Sequence, residues 1–477
     1  MRELFALLRR NWLFFALVTA AALALRFFFV FRLPHLDGDT FIYGDIAKNW
    51  LMHGIYGLSD GNVIRPTLIR LPGYPAFLAG MFAIFGREHY TAVMIAQALI
   101  DTNTCLVIAA LALELMNSRA AKAAYLLAAL CPFTANYVAA PLSETLAIFC
   151  TAHAFYYGVR GIKELKADRR GLLLWGLSGF WTALAILLRP DDGLLLPAFG
   201  LAILFLLFLR TNRRQVFAAA LLFVFVSLAP LVPWTIRNWR VFHIFQPLAS
   251  RYANDPGEFV PAGFNHWVKT WLAEFASVDD VYWKVNGEPI DIHNLPQRAF
   301  DSRREYDRTQ ALLDQYNRQL YIDPDLDRQF ELLARERIAQ NPARYLLWMP
   351  FLRISDMWLR PRTEMLPMDT RWWQFSEHPG ESVFALFWAA LNLFYLLAAL
   401  RGWLRWRLGI YAVPLIAYIL MRSVFLSTLE NPEPRYVLEC FPVILLLAAG
   451  AFVGPKVSSM AGFRSTGQVQ VHSQTRS

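Results

Sequence analysis

The chain is poor in charged side chains. Asp, Glu, Lys and Arg make up 17% of its 477 residues, whereas soluble domains carry about 25%. Hydrophobic residues account for 56% and aromatic residues for 15% of the chain, a balance typical of proteins with aromatic belts at two bilayer interfaces. This deficit of charge argues against an ordinary soluble domain and predicts a polytopic membrane protein.

The chain also lacks the patterns of several common functional sites. Its four cysteines, Cys105, Cys131, Cys150 and Cys440, all lie in apolar stretches without CxxC spacing, which argues against a disulfide framework or a zinc site. No GxxxxGK[ST], GxGxxG or HExxH pattern is present. The net charge of +9 does not indicate nucleic-acid binding, because the excess Lys and Arg residues lie in short loops between apolar runs.

Apolar runs define the predicted topology. A helix needs about 20 mainly apolar residues to cross a bilayer, and ten runs of this kind occur. The sequence therefore predicts an all-α polytopic protein with about ten transmembrane helices. The predicted spans are 12–31, 90–115, 120–138, 142–159, 171–188, 193–209, 216–234, 382–400, 408–427 and 436–453.

Basic residues cluster in alternate loops, which predicts that both termini are cytoplasmic. A cleaved signal peptide at the first span is an alternative that leaves this topology otherwise unchanged. The first outer loop, 32–89, is expected to carry interfacial helices, and apolar residues at helical spacing predict helices near 299–320 and 326–338. The apolar segment after Pro342 is expected to lie in the membrane plane. The predicted units are a membrane module 1–235, a partly helical outer subdomain 236–381, membrane helices 382–455 and a disordered cytoplasmic tail 456–477.

Ionisable residues gather at the predicted extracytoplasmic face. Each is a functional candidate because charge at membrane depth is costly, although arginines at helix ends also snorkel and carboxylates also cap helices. Arginines in outer loops oppose the usual charge bias, and carboxylates with arginines suit a reaction that loses a proton and releases a phosphate. The candidates are Asp37, Asp39 and Glu144, with Arg65, Arg70, Arg189, Arg237 and Arg435, and the neighbouring Tyr43 and Tyr436.

Several motifs occur in a familiar order. GDTFIYGDIAKNWLMHGIY and RPTLIRLPGYPAFLAGMFAIFG are followed by PLSETLA, LAILLRP, PWTIRN and PEPRYVLECFPVILLL. Together they resemble bacterial glycosyltransferases of the C superfamily, in the branch of protein O-mannosyltransferases and aminoarabinose transferases. The resemblance covers roughly residues 25–245 and 340–450, and the stretch from about 250 to 340 aligns with nothing.

The resemblance implies a membrane glycosyltransferase of the cell envelope that uses a polyprenyl-phosphate sugar. Asp39 takes the place of the catalytic base, with Asp37 as the alternative. The five arginines are expected to bind the donor phosphate, and Tyr43 and Tyr436 to belong to the substrate loops. Glu144 is expected to position the acceptor, help bind a divalent cation such as Mg²⁺ or Mn²⁺, or pair with an arginine. The acceptor would be a lipid, glycan or protein hydroxyl, attacked with inversion.

Two other functions stay open at this point. A transporter or flippase would need ionisable residues at mid-span and matching broken helices, and no matching halves are found. A lipid-linked polysaccharide polymerase or ligase shares the topology of many spans and a large outer loop. All these alternatives place the protein in the bacterial inner membrane with membrane lipids around it, and none involves nucleic acid.

Overall fold

The computed structural model describes residues 2–209 and 212–454; the predicted tail 456–477 lies outside these residues. The protein is mostly helical, as predicted, with a single two-stranded sheet in the described part. The helices are α1 (Arg2–Arg10), α2 (Trp12–Arg32), α3 (Gly38–His53), α4 (Gly73–Phe85), α5 (Tyr90–Leu115), α6 (Ser118–Ala129), α7 (Pro132–Ala135), α8 (Glu144–Lys166), α9 (Leu172–Leu188), α10 (Leu195–Phe208), α11 (Arg213–Leu228), α12 (Leu231–Phe242), α13 (Ala262–Lys269), α14 (Phe275–Ser277), α15 (Arg303–Gln319), α16 (Pro324–Gln340), α17 (Met349–Leu359), α18 (Pro379–Arg405), α19 (Ala412–Leu426) and α20 (Phe441–Phe452).

Seven helical segments of the described chain are long and apolar enough to cross a membrane. The other three predicted spans fall on helices outside this group. Predicted span 120–138 breaks after α6 because Pro132 has no N–H to continue a helix, and α9 has 17 residues. Predicted span 142–159 corresponds to α8, which begins at Glu144 and ends in a charged turn. The seven segments are Trp12–Arg32, Tyr90–Leu115, Pro190–Phe208, Arg213–Phe242, Pro379–Arg405, Gly409–Leu426 and Pro434–Phe452.

The segment that ends in α20 lies at the centre of the membrane region. Its sequence FPVILLLAAGAF is apolar all round, as expected of a helix enclosed on every side, and 83% of its apolar window is buried. Close backbone approach makes this packing possible. A Cβ atom at Gly402 of α18 would overlap the carbonyl oxygen of Leu447, so only glycine allows these two helices to meet here.

The first outer loop is folded rather than extended. Helix α3 is followed by an antiparallel hairpin of strands β1 (Gly57–Asp60) and β2 (Val63–Pro66), and then by α4. Arg237, in the middle of α12, fixes this loop: its guanidinium donates to the backbone oxygens of Thr67 and Tyr56, each at 2.7 Å. Arg237 is therefore occupied in holding the loop against the membrane helices.

A second hydrophobic core lies within the long outer segment between α12 and α18. Its centre is formed by Trp267, Trp271 and Phe330 of α13, the following turn and α16. Helices α15 and α16 coincide closely with the two amphipathic stretches in the sequence. Arg337 of α16 is buried and donates to the backbone oxygen of Ala299 at 2.8 Å. This segment thus folds around its own apolar centre.

Helix α17 connects this outer core to the membrane region. Its charged residues face inward: Arg353 donates to the backbone oxygens of Leu272 (2.9 Å) and Ser427 (3.1 Å), and Asp356 accepts the N–H of Phe275 at 3.1 Å. Burial raises the pKa of Asp356 to about 6. Large apolar side chains just before and within α17 are exposed, including Leu347. These two faces explain the charges that interrupt this apolar segment, and a position in the membrane plane remains the prediction for it.

Candidate active site

A cavity of about 760 Å³ opens between the first outer loop, the adjoining ends of α8, α9 and α19, and the loop that precedes α13. Seven of the ten residues singled out from the sequence line this cavity. Its lining also includes apolar side chains, among them Leu188, Leu194, Phe425, Leu426 and Leu429. One cavity therefore offers both charged groups and an apolar surface next to apolar helices. The seven predicted residues that line the cavity are Asp39, Tyr43, Arg70, Glu144, Arg189, Arg435 and Tyr436.

Asp39 lies in the first turn of α3, two residues after Asp37, which is the N-cap residue of that helix. Arg70 Nη2 lies 2.6 Å from Asp39 Oδ1, and Arg435 Nη2 lies 3.2 Å from Asp39 Oδ2. The Asp39 side chain keeps 29% of its surface exposed. Burial acts to raise its pKa, but the two guanidinium groups outweigh burial and hold the pKa at about 2. Asp39 is therefore a carboxylate at neutral pH, tied to two arginines and open to the cavity.

Glu144 is the first residue of α8 and is almost fully buried. Its Oε1 lies 2.9 Å from Arg189 Nη1 and 3.7 Å from Arg435 Nη1. Its Oε2 has no hydrogen-bond partner among the described residues. Arg435 therefore links the carboxylates of Asp39 and Glu144, and of the roles considered for Glu144, pairing with an arginine is the one visible in the structure.

The Tyr436 ring packs against two of these arginines. The guanidinium groups of Arg189 and Arg435 lie over its ring at 5.2 and 5.5 Å from the centroid, a cation–π arrangement. The Tyr436 hydroxyl donates to Glu433 at 2.6 Å, and Glu433 also pairs with Arg435 Nε at 2.6 Å. Burial raises the pKa of Glu433, while Arg435 and Tyr436 lower it. Tyr43 similarly lies under Arg70, at 5.6 Å.

A second charged layer lies behind the cavity wall and was not predicted. Arg422 of α19 is fully buried and pairs with Asp191 (2.5 Å), Asp192 (2.6 Å) and Glu439 (2.9 Å). Arg189 joins this layer through Asp191 and Glu439, at 3.5 and 3.3 Å. The signal in the sequence was ionisable residues inside apolar runs. The layer holds the segment that carries Arg189 against the last helix.

Three predicted residues do not line the cavity. Asp37 pairs with His35 Nε2 at 2.7 Å and is 54% exposed. Arg65 lies on β2, is 74% exposed and pairs with Asp60. Arg237 holds the first outer loop, as described above. Arg65 and Arg237 thus lie outside the cavity in this structure, and both guanidinium groups have partners within the protein.

The carboxylates do not form a metal site. Within residues 2–209 and 212–454, no group of three or more His, Cys, Asp or Glu side chains is placed to hold a metal ion. Both oxygens of Asp39 and one of Glu144 face guanidinium groups, and Asp37 faces His35. These residues therefore do not fit a Mg²⁺ or Mn²⁺ site, which needs several free oxygen ligands.

Comparison with known proteins gives similarity in sequence and in fold. The family of dolichyl-phosphate-mannose-protein mannosyltransferases matches residues 66–234, a range that contains Arg70, Glu144 and Arg189. No protein of curated function matches the sequence.

Among solved structures, the oligosaccharyltransferase AglB of Archaeoglobus fulgidus, in complex with an inhibitory peptide and a dolichol-phosphate, is 15% identical with a TM-score of 0.52. The match covers 93% of this chain and 50% of AglB, so the chain spans about half the length of that protein. AglB tethered to an acceptor peptide gives a TM-score of 0.51 at 13% identity, with the same coverage.

ArnT of Cupriavidus metallidurans superimposes less well, with a TM-score of 0.37 at 15% identity over 94% of this chain and 78% of ArnT. The chain is a multi-pass membrane protein whose fold is similar to the half of AglB that it covers, and the resemblance to C-superfamily glycosyltransferases, predicted from its motifs, is confirmed.

Proposed function

We propose that the protein is a glycosyltransferase that moves a sugar from a polyprenyl-phosphate donor to an acceptor hydroxyl at the extracytoplasmic face. The membrane would be the bacterial inner membrane, with both termini in the cytoplasm. The observation that carries the proposal is the Asp39 carboxylate, which is held by Arg70 and Arg435 in a cavity lined by both charged and apolar side chains. The family matched over residues 66–234 and the fold of AglB support the same reaction class.

The charged and the apolar side chains of the cavity suit the two parts of such a donor. Leu188, Leu194 and Phe425 suit the first units of a polyprenyl chain that enters from the bilayer. Arg70, Arg189 and Arg435 suit the phosphate, because a guanidinium group can donate two parallel hydrogen bonds to phosphate oxygens. The dolichol-phosphate bound to AglB is a ligand of this chemical class.

The reaction balances as a single displacement at the sugar. The acceptor oxygen forms a bond to the anomeric carbon as the bond from that carbon to the phosphate oxygen breaks. The polyprenyl phosphate leaves with the electron pair, and the acceptor proton passes to Asp39. Attack opposite the leaving group inverts the configuration of the anomeric carbon. A positioned base of this kind contributes about 10²–10⁴-fold to the rate.

The low pKa of Asp39 requires a further step. A carboxylate with a pKa of about 2 is a poor proton acceptor at neutral pH, because a base works best when its pKa is near the working pH. Arg70 and Arg435 cause this depression, and both are the groups that a donor phosphate would attract. A bound donor would therefore draw the two guanidinium groups away from Asp39 and raise its pKa when the acceptor is in place.

Glu144 would act on the arginines in this scheme. Its Oε1 faces both Arg189 and Arg435, so it orients them toward the phosphate. Its Oε2 is buried and has no hydrogen-bond partner among the described residues. Tyr436 supports the same two arginines through its ring.

The test compares Asp39 and Asp37 in detergent-permeabilised membranes, in which the extracytoplasmic face is accessible, supplied with radiolabelled polyprenyl-phosphate sugars. Asp39→Asn should reduce transfer by about 10²–10⁴-fold, while Asp37→Asn, whose side chain faces solvent and His35, should transfer at the wild-type rate. The labelled donor that reacts identifies the sugar. Normal transfer by Asp39→Asn would rule out Asp39 as the base, and no transfer by the wild type from any donor would count against the proposed reaction.

A further inference from the structure

The first helix, α1, carries a charged face that the proposed reaction does not use. Asn11 separates α1 from the spanning helix α2, with dihedral angles outside the helical range (φ −125°, ψ 37°). Because α2 has 21 residues, its two ends lie about 30 Å apart, with α1 before one end and Asp39 just beyond the other. The charges of α1 therefore lie at the opposite end of α2 from the candidate active site.

Helix α1 has two distinct faces. Leu4 and Leu7 are buried and belong to the main hydrophobic core of the membrane region, so this face holds the helix against the protein. The other face is exposed and borders an open groove of about 590 Å³. Residues four apart lie next to each other on a helix, so each arginine of the groove adjoins an apolar side chain. The groove is lined by Phe5, Ala6, Arg9 and Arg10.

The two arginines of this groove have no anionic partner. Within residues 2–209 and 212–454, neither Arg9 nor Arg10 forms an ion pair or a side-chain hydrogen bond, and Glu3, the one acidic residue of α1, pairs with neither. At the basic end of α8, by contrast, Lys163 pairs with Glu114 at 2.8 Å. The positive charge of the groove is thus not balanced by the described protein.

A second pair of cations adds to this charge. Lys122 of α6 donates to Asn11 Oδ1 at 3.3 Å, and its ammonium group lies 5.8 Å from the centroid of the Phe14 ring. Arg119, one turn earlier on α6, is exposed and has no ion pair among the described residues. Because Asn11 directly follows Arg10, Lys122 brings its charge to the same end of α2.

Apolar side chains next to the groove are exposed to the surroundings of the membrane region. Phe5 is 64% exposed, and Trp12 and Leu13, at the start of α2, are 67% and 55% exposed. Helix α2 is long and apolar enough to cross a membrane, so these side chains lie where the chain enters the bilayer. Exposed aromatic and apolar side chains beside arginines are typical of a helix in the membrane interface.

We propose that α1 lies in the membrane interface and that its groove binds the headgroup of an anionic phospholipid. Arg9 and Arg10 donate to the phosphate oxygens, and Phe5 packs on the acyl chains of the same lipid. A zwitterionic lipid also has a phosphate, but its own ammonium group already balances that charge. The unbalanced arginines therefore favour a headgroup with net negative charge, and the exposed apolar side chains favour a lipid over free phosphate.

The lipid preference can be measured at the groove itself. Leu13 is exposed and does not line the groove, and the four native cysteines are buried, so Leu13→Cys can be labelled selectively with a fluorophore. The full chain is placed in phosphatidylcholine nanodiscs that contain increasing fractions of one nitroxide-labelled lipid, which quenches the fluorophore on contact. The labelled lipid is phosphatidylglycerol or phosphatidylcholine with the same acyl chains. Nanodiscs expose both membrane faces, so the orientation of the chain does not affect the result.

We expect half-maximal quenching at an about tenfold lower fraction of phosphatidylglycerol than of phosphatidylcholine, the effect of basic side chains at an anionic lipid surface. Arg9→Gln combined with Arg10→Gln should bring the two fractions close together, because the unbalanced charge of the groove is gone. Arg9→Lys combined with Arg10→Lys should keep most of the preference, which separates loss of charge from a change in fold.

The matched control is Arg169→Gln combined with Arg170→Gln. It removes the same two charges from the loop between α8 and α9. This loop follows the end of α8 that is remote from the cavity residue Glu144, so it lies at the same membrane face as α1. The control should keep the preference for phosphatidylglycerol. Equal loss in the control would mean diffuse attraction to the whole face and would overturn the proposed site.

Equal quenching by the two lipids in the wild type would also overturn it, as would a preference that survives Arg9→Gln combined with Arg10→Gln. Absence of quenching by either lipid would show that this end of α2 lies outside the bilayer, which contradicts the proposed site as well. The readout needs no sugar transfer and reports on the far end of α2. A chain that transfers no sugar but keeps the lipid preference would therefore reject the proposed function alone.

Discussion

Two arginine–aspartate pairs in this protein share the same chemistry but have different surroundings. Arg26 pairs with Asp101 at 2.7 Å in the middle of the membrane region, and both are almost fully buried. Arg26 also donates to the backbone oxygens of Ala22 and Ala129, at 3.0 and 2.8 Å. Asp39 pairs with Arg70 at a similar distance, 2.6 Å, but opens onto a cavity and is shared with Arg435.

The difference distinguishes a structural ion pair, Arg26–Asp101, from the Asp39–Arg70 pair, which we propose to be functional. Arg26 joins α2 to α5 and to the end of α6, and its guanidinium donates to several acceptors of the protein itself. The arginines around Asp39 can exchange one partner for another, because a substrate can reach them. A transporter would require ionisable residues at mid-span. Arg26 is such a residue, but helix packing explains its position.

The largest expected effect on stability is at the buried pair. Arg26→Leu should destabilise the protein by about 3–5 kcal/mol, because it leaves Asp101 charged and unpaired inside. Arg26→Leu combined with Asp101→Leu should recover most of the loss. Thermal unfolding in nanodiscs measures both variants, and a double variant as unstable as the single one would show that the pair is not a closed unit.

The opposite behaviour is expected at Asp39. Asp39→Asn should lose sugar transfer, yet its thermal unfolding should stay close to that of the wild type, since the partially exposed side chain contributes little to stability when solvent screens its ion pairs. Unfolding at a clearly lower temperature would mean that Asp39 holds the loop together, and the loss of transfer would then have a structural cause.

A smaller effect concerns pH. Because Arg70 lowers the pKa of Asp39, Arg70→Gln should raise that pKa and move the acidic limb of kcat/KM to higher pH. The wild-type ion pair is fully formed above the usual pKa of an aspartate and is lost only as pH falls through about 2. Arg70→Lys, which keeps the charge, should restore most of the wild-type profile. An unshifted acidic limb in Arg70→Gln would exclude control of Asp39 by Arg70.

The smallest effect is expected at Arg65. Its exposed pair with Asp60 is of the kind that contributes about 0–1 kcal/mol, and it lies outside the cavity. Arg65→Gln should therefore change neither transfer nor the KM for the donor, whereas Arg435→Gln should impair both. A raised donor KM in Arg65→Gln would show that the hairpin moves toward the donor during the reaction.

Much of the fold follows from the sequence because apolar length is a local property. The break at Pro132 is equally local, and the ten-span interpretation passed over it. The β1–β2 hairpin was not predicted, although its two-residue turn, Gly61-Asn62, is a common hairpin signal and Gly61 has a φ of +59°. These differences arose where short turn signals compete with long apolar patterns.

The candidate site was predicted in part, for a physical reason that the arginines illustrate. Arg70 and Arg237 both follow apolar stretches at the same face, and nothing in their neighbours tells which one reaches a cavity and which one holds a loop. The roles of Arg422 and Glu439 depend on partners far away in the chain. Arg422 meets Asp192 across 230 positions, and no local pattern encodes such a meeting.

Arg435 meets Asp39 across 396 positions of the chain, and this separation affects the order of synthesis. Asp39 leaves the ribosome early, while Arg435 and the helix that follows it are made much later. Until that helix is inserted, Asp39 has Arg70 alone, and Glu144 lacks one of its two arginines. Under the proposed function, the nascent chain therefore cannot use a donor lipid before the segment that carries Arg435 is in place.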